Sequence, residues 1–217
     1  MAEKLIIFDM DNTLLRSKID FALMKSEVLR LLAERGLIGE PSWPSAKIIN
    51  YFRERDLLPA SLEQEIWRRI TEIEYQGLAS AEAEPGVHQA LKQLAAHAHL
   101  AVVSNNIDAA VRDNLDRLGI SEHLQLMMGR GAVPQLKPSP LGILAAAAHF
   151  PQLTPADCVT IGDALNDNEA AAAAGMDFIA YNGSRSEDWR RCWITPRAYL
   201  HSWDEQAVQT VLDILEA

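Results

Sequence analysis

Four aspartates, a serine and a lysine could carry chemistry in this chain, and most of them stand directly after short apolar runs. Asp9 and Asp11 follow Leu5 to Phe8, Ser104 and Asn105 follow Leu100 to Val103, and Asp163 and Asp167 follow Cys158 to Ile161. Lys137-Pro138 lies in a loop rich in glycine and proline before the last of these runs. If the runs are parallel strands, their carboxyl ends share one edge, which is where ligands bind in open α/β sheets. Carboxylates gathered there cannot all stay ionised without compensation, and a divalent cation supplies it. Oxygen-only donors on a partly hydrated site suit Mg²⁺. Lys137 adds a movable positive charge. A cation, a metal, a hydroxyl and a carboxylate nucleophile together suit an anionic electrophile such as a phosphoryl group.

Taken in order, Asp9-Met10-Asp11-Asn12-Thr13, Ser104-Asn105, Lys137-Pro138, and Gly162-Asp163 with Asp167 resemble the four motifs of the haloacid dehalogenase-like (HAD) hydrolases. The resemblance extends over the whole chain. Asn12 stands where that family most often has glycine, and Ala164 where it often has a small hydroxyl residue. The resemblance implies that Asp9 attacks phosphorus to form an aspartyl-phosphate, while Asp11 protonates the leaving oxygen and later activates water. Ser104 and Lys137 would hold the phosphoryl oxygens, joined by the main chain at Met10, Asp11 and Asn105. Mg²⁺ would sit on the Asp9 carboxylate, the Asp11 carbonyl and Asp163, with Asp167 as a further ligand or an orienting group.

Members of the family that cleave carbon–halogen or carbon–phosphorus bonds generally lack a carboxylate at the Asp11 position, so phosphate-ester chemistry is implied. The expected activity is that of a phosphoglycolate-phosphatase-like enzyme on a small phosphorylated metabolite, phosphoglycolate-like or a sugar or nucleotide monophosphate. A phosphomutase of the β-phosphoglucomutase type shares the four motifs and ranks second. A non-catalytic phospho-aspartate receiver also uses acids with a Ser or Thr and a Lys, but it is shorter and has no helical insert.

The elements that must position these residues are legible as patterns. Leu5–Phe8, Leu100–Val103, Leu124–Met128, Cys158–Ile161 and Phe178–Tyr181 are dominated by apolar residues, with only Gln125 and Thr160 interrupting, as expected of strands buried on both faces. Helical patterns lie between them at 84–98, 107–118, 139–149 and 166–174, the last with Asn166 as its expected N-cap and Gly175 past its end. This is an α/β, Rossmann-like parallel sheet.

Residues 16–82 break the alternation. Phe21, Met24, Val28, Leu31 and Leu32, then Ile48, Ile49 and Phe52, then Leu62, Ile66, Ile70 and Ile73 recur at helical spacing with no strand between them. A core of 1–15 and 83–217 carrying a helical cap at 16–82 is expected, similar to the first cap type of the family. The insert holds 10 basic and 11 acidic residues, leaving 10 and 19 to the core. Specificity should lie in this cap, where Arg16, Lys18, Lys47 and Arg53 are candidates for a second anionic group on the substrate.

Composition narrows the alternatives. With 30 acidic residues against 20 basic ones, the chain should repel phosphate backbones, so nucleic acid is not an expected partner. Its longest apolar stretch, eight residues at Leu141, is far short of the ~20 that cross a bilayer, and the one near the N-terminus, at Leu5, is four. Neither a membrane partner nor a secretory signal is expected. The two cysteines, Cys158 and Cys192, fit a reduced cytoplasmic setting, with Cys158 packed and unreactive in its strand. The histidines show no metal-ligand spacing, and Trp67, Trp189, Trp193 and Trp203 are expected as core or interface anchors. Asp9 and Asp11 do not open a calcium loop, since Leu14 and Asp20 stand where that loop needs Gly and Glu. Oligomeric state is left open.

Overall fold

A computed structural model describes residues 4–181 and 193–216; Trp189 and Cys192 lie outside them. The chain divides into two compact units, one running to Arg16 and resuming at Glu82, the other Ser17–Ala81.

The larger unit is a parallel sheet with helices on both faces. Its strands are β1 (Leu5–Phe8), β4 (His99–Val103), β5 (Leu126–Met128), β6 (Cys158–Gly162), β7 (Asp177–Tyr181) and β8 (Ala198–Leu200). A two-residue pair, β2 (Leu15–Arg16) and β3 (Glu82–Ala83), forms a separate antiparallel ladder where the chain leaves and re-enters this unit. Among the described residues the main sheet has the order β5-β4-β1-β6-β7-β8. The order reverses around β1, since the chain builds outward on one side through β4 and β5 and then returns to β1's other side with β6. Phe8 therefore lies between Val102 and Ile161, and the ends of β1, β4 and β6 open on the same crevice.

Alternation across the pleat sends Leu5 and Ile7, with Ala101, Val103 and Cys158, into a core closed by Ile143 and Ala146 of α6 (Leu141–Ala147) and Ala170 and Ala174 of α7 (Leu165–Ala174). The alanine-rich helices let backbone approach the sheet closely. Helices α4 (Val87–Leu94), α5 (Asp108–Arg117) and α8 (Glu205–Glu216) complete the unit. Just before α8, Trp203 is buried, its ring edge-on to Phe8 at 5.9 Å and stacked on Tyr181 at 5.0 Å. Cys158 is buried as expected, and burial first, then Asp157, pushes its thiol up to about 11. Trp193, by contrast, is 68% exposed rather than part of the core.

The smaller unit contains α1 (Phe21–Ala33), α2 (Ser45–Glu54) and α3 (Ala60–Leu78), and among its described residues it has no strand. Asp20 caps α1 by accepting the Leu23 N–H at 2.8 Å, while Pro44 and Pro59 precede the other two helices. Met24, Val28, Leu31 and Leu32 of α1, Ile48, Ile49 and Phe52 of α2 and the α3 stripe Leu62, Ile66, Ile70 and Ile73 are all buried, and α1 packs against both α2 and α3. Phe21 falls outside that core, 44% exposed at the first turn of α1. No described helix is long and apolar enough to cross a membrane.

Candidate active site

Asp9 is the first residue past β1, and its N–H donates to the Ile161 carbonyl at 2.8 Å, so the ladder still fixes its backbone. The chain then turns tightly: the Met10 carbonyl accepts from the N–H groups of Leu14 and Leu15, and Asn12 adopts φ 56°. Asparagine tolerates that left-handed conformation better than other side-chain-bearing residues, which explains how it stands in a glycine-favouring position. From the far end of the chain, the Trp203 indole N–H donates to the Thr13 carbonyl at 2.8 Å and anchors the same turn.

Ser104 and Asn105 follow β4. Ser104 is buried, and its Oγ accepts the Asn106 N–H at 3.1 Å. The Asn105 side chain grips the main chain of Lys137 from both sides, accepting its N–H and donating to its carbonyl, each at 2.9 Å. This clamp holds the main chain of Lys137 against the end of β4. Lys137 is only 5% exposed, and its Nζ lies 2.6 Å from Asp9 Oδ1 and 2.7 Å from Asp167 Oδ1.

Asp163 and Asp167 come from the end of β6 and the first turn of α7. Asn166 does not cap that helix. Ala164 occupies the cap position and offers no side-chain acceptor, so Asp167 reaches back and accepts the Ala164 N–H at 3.1 Å through Oδ2. Its other oxygen faces Lys137, so the same carboxylate caps a helix and joins the cluster.

Asp9, Asp163 and Asp167 each offer an oxygen within 4.8 Å of the others. Three carboxylates with no nitrogen or sulfur donor are a set that suits a hard, oxygen-seeking divalent cation such as Mg²⁺. Burial foremost pushes the Asp9 carboxyl up to about 7, with Asp167 and Asp11 adding to the shift and Lys137 opposing it. Burial works against the charge on Lys137, yet Asp167 and Asp9 together hold its pKa above the ordinary lysine value. Such a carboxylate cluster is short of positive charge, and a divalent ion would supply it.

Of the basic residues considered for a second anionic group, Arg16 pairs with Glu82 at 3.0 Å and Arg53 with Glu63 at 3.1 Å, while Lys47 lies over the Trp43 ring at 5.7 Å. Lys18 is exposed.

The chain belongs to the haloacid dehalogenase-like hydrolases, whose family model matches residues 6–181. Within that class it is an enzyme of the phosphatase kind, similar to curated phosphatases along most of its length. It is 31% identical to a phosphoglycolate phosphatase of Xylella fastidiosa over 84% of this chain and 82% of that one. It is 28% identical to that of Nitrosospira multiformis over 84% and 86% of the two chains. A Haemophilus somnus structure described as a predicted phosphoglycolate phosphatase shares the fold with a TM-score of 0.65 at 23% identity, covering 96% of this chain and 98% of its own.

Gly162 is required by close approach rather than by backbone conformation. A Cβ there would lie 2.5 Å from Asp167 Cγ and 2.6 Å from its Cβ, so the whole Asp167 side chain would have to move. Gly162→Ala is expected to weaken Mg²⁺ binding and turnover together, each by about 10–100-fold. Titrating turnover against Mg²⁺ checks this; an unchanged metal dependence would show that Asp167's position does not matter.

Proposed function

We propose that this enzyme hydrolyses a small phosphorylated metabolite through an aspartyl-phosphate on Asp9, with Mg²⁺ held by Asp9, Asp163 and the Asp11 carbonyl and with Asp167 beside them. The observation that carries this reading is the convergence of Asp9, past the end of β1, with Asp163 and Asp167, past the end of β6, and with Lys137 paired to Asp9 and Asp167, while a carboxylate that can act as an acid, Asp11, stands two residues after Asp9. The metal, when bound, neutralises charge on the phosphoryl oxygens.

An Asp9 oxygen attacks phosphorus as the ester P–O bond breaks, and the departing oxygen takes its electron pair and the proton from Asp11. Asp11, now ionised, then takes a proton from water. That water oxygen attacks phosphorus, the P–O bond to Asp9 breaks, its electron pair returns to the Asp9 carboxylate, and inorganic phosphate leaves. Ser104 and Lys137 hold the phosphoryl oxygens; Ser104 Oγ already accepts the Asn106 N–H, so its own hydrogen can be donated to the ester. Much of the acceleration must come from charge and positioning, since general acid catalysis supplies only about 10²–10⁴-fold.

In this reading the helical unit is a cap that selects the substrate. Resemblance to phosphoglycolate phosphatases favours a short, anionic phosphate ester. Purified protein assayed with Mg²⁺ on a panel of phosphorylated metabolites should release inorganic phosphate without a bisphosphate activator, and exhaustive EDTA treatment should abolish release. Metal-independent turnover would overturn the metal assignment, and sugar-phosphate isomerisation faster than phosphate release would assign a phosphomutase instead.

A further inference from the structure

Asn106 belongs to none of the recognisable motifs, yet it reaches the site. It is 4% exposed, and its Nδ2 donates to Asp11 Oδ2 at 2.5 Å across 95 residues of sequence. Its backbone is held at both ends, its N–H donating to Ser104 Oγ at 3.1 Å and its carbonyl accepting the Arg130 N–H at 2.8 Å. The main chain that carries this amide is thus held independently of Asp11.

We propose that Asn106 is a positioning residue: its amide sets the plane of the Asp11 carboxyl group so that the acid meets the leaving oxygen and, later, the attacking water. This inference rests on the acid and base role given to Asp11 above. A carboxyl group on a turn can rotate about both of its side-chain torsions, and a single donor to one oxygen removes most of that freedom. The benefit is geometric, because misplacing a reacting group by about 1 Å can cost on the order of 10²-fold in rate. Asn106 also links Asp11 to Ser104, so the proton donor and a phosphoryl-oxygen holder share one support.

The test uses Asn106→Leu, which keeps comparable bulk but removes the donor, and Asn106→Ala should the first not fold. kcat/KM, which reports transfer of the phosphoryl group to Asp9, is measured from p-nitrophenyl phosphate through phenyl phosphate to a simple alkyl phosphate. p-Nitrophenolate leaves without help from an acid; an alkoxide does not. The expected loss is at most a few-fold for the nitrophenyl ester and about 10²-fold for the alkyl ester, the low end of general acid catalysis. Because water activation also suffers, the variant should show a burst of p-nitrophenol followed by a slower steady state. An equal loss on every ester, or none, would overturn the proposal and leave Asn106 a packing residue. Failure of the underlying reading looks different: Asp11→Asn, with Asn106 in place, would then lose no more on the alkyl ester than on the nitrophenyl ester.

Discussion

Replacing Asp9 with asparagine is expected to abolish turnover, by on the order of 10⁴–10⁶-fold, and at the same time to make the metal-free protein more stable at pH 8. The first effect follows from losing the attacking oxygen. The second follows from the electrostatics of the site. Burial foremost, then Asp167 and Asp11 against the opposing Lys137, raises the Asp9 carboxyl to about 7, whereas an unfolded chain releases that proton near 3.8. Between those values the folded protein binds a proton the unfolded chain has lost, so stability falls as pH rises from about 4 to 7 and stays low above. Asparagine carries no charge to bury, which removes that loss. Tm measured in EDTA should exceed wild type by several degrees at pH 8 and match it near pH 4. Asp11→Asn, in contrast, should leave Asp9 able to attack an activated ester and trap a longer-lived phosphoenzyme, with rates down about 10²–10⁴-fold. Phosphoenzyme labelling separates the two, and labelling of Asp9→Asn would refute the assignment of the nucleophile.

The sheet was legible in the sequence wherever a strand is covered on both faces, because burial leaves an unbroken apolar run such as Leu5–Phe8 or Leu100–Val103. It was not legible at the margin. Among the described residues β8 pairs only with β7, and at three residues, with Tyr199 exposed at its centre, it is too short for its pattern to be told from a loop. The ladder of β2 and β3 is two residues long on each side, below what any pattern resolves. α8 did carry a signal, with Ala207, Val208, Val211 and Leu215 buried at helical spacing.

The site divides in the same way. Residues at strand ends can be read from the strands that precede them, and Asp9, Ser104 and Asp163 are of that kind. Supporting groups cannot. An asparagine after Ser104 is one loop residue among many until the fold brings Asn106 onto Asp11, and nothing local says that Asn105 clamps the main chain of Lys137. The double duty of Asp167 had a trace in Ala164, a helix start without a capping side chain followed by an acid three residues on.

The Asn105 clamp makes a clean test of the lysine possible, since it holds the Lys137 backbone whatever side chain stands there. Lys137→Met should keep the loop in place and remove only the ammonium lying between Asp9 and Asp167. Breaking a buried ion pair on one side costs about 3–5 kcal/mol. For a chain of this size that is on the order of 10 °C in Tm. The loss should depend on pH. Without the lysine, which opposes the shift, the Asp9 carboxyl rises further above about 7, and the folded state keeps a proton that the unfolded chain releases near 3.8. Wild type and variant lose stability alike as pH rises from about 4 to 7, but above 7 only the variant, whose Asp9 still holds its proton, goes on losing it, so the variant should be closest to wild type near pH 5 and furthest below it at pH 8. Mg²⁺ at 100 times its Kd should return about 2.7 kcal/mol of stability, because it satisfies the same carboxylates. It should not return turnover, which stays down about 10²–10³-fold for want of the cation on the phosphoryl oxygens. Thermal melts at the two pH values, with and without Mg²⁺, alongside phosphate release, decide the matter. A Tm loss independent of pH would mean that Lys137 acts through packing, and recovery of turnover by Mg²⁺ alone would mean that its charge serves only to hold the empty carboxylates together.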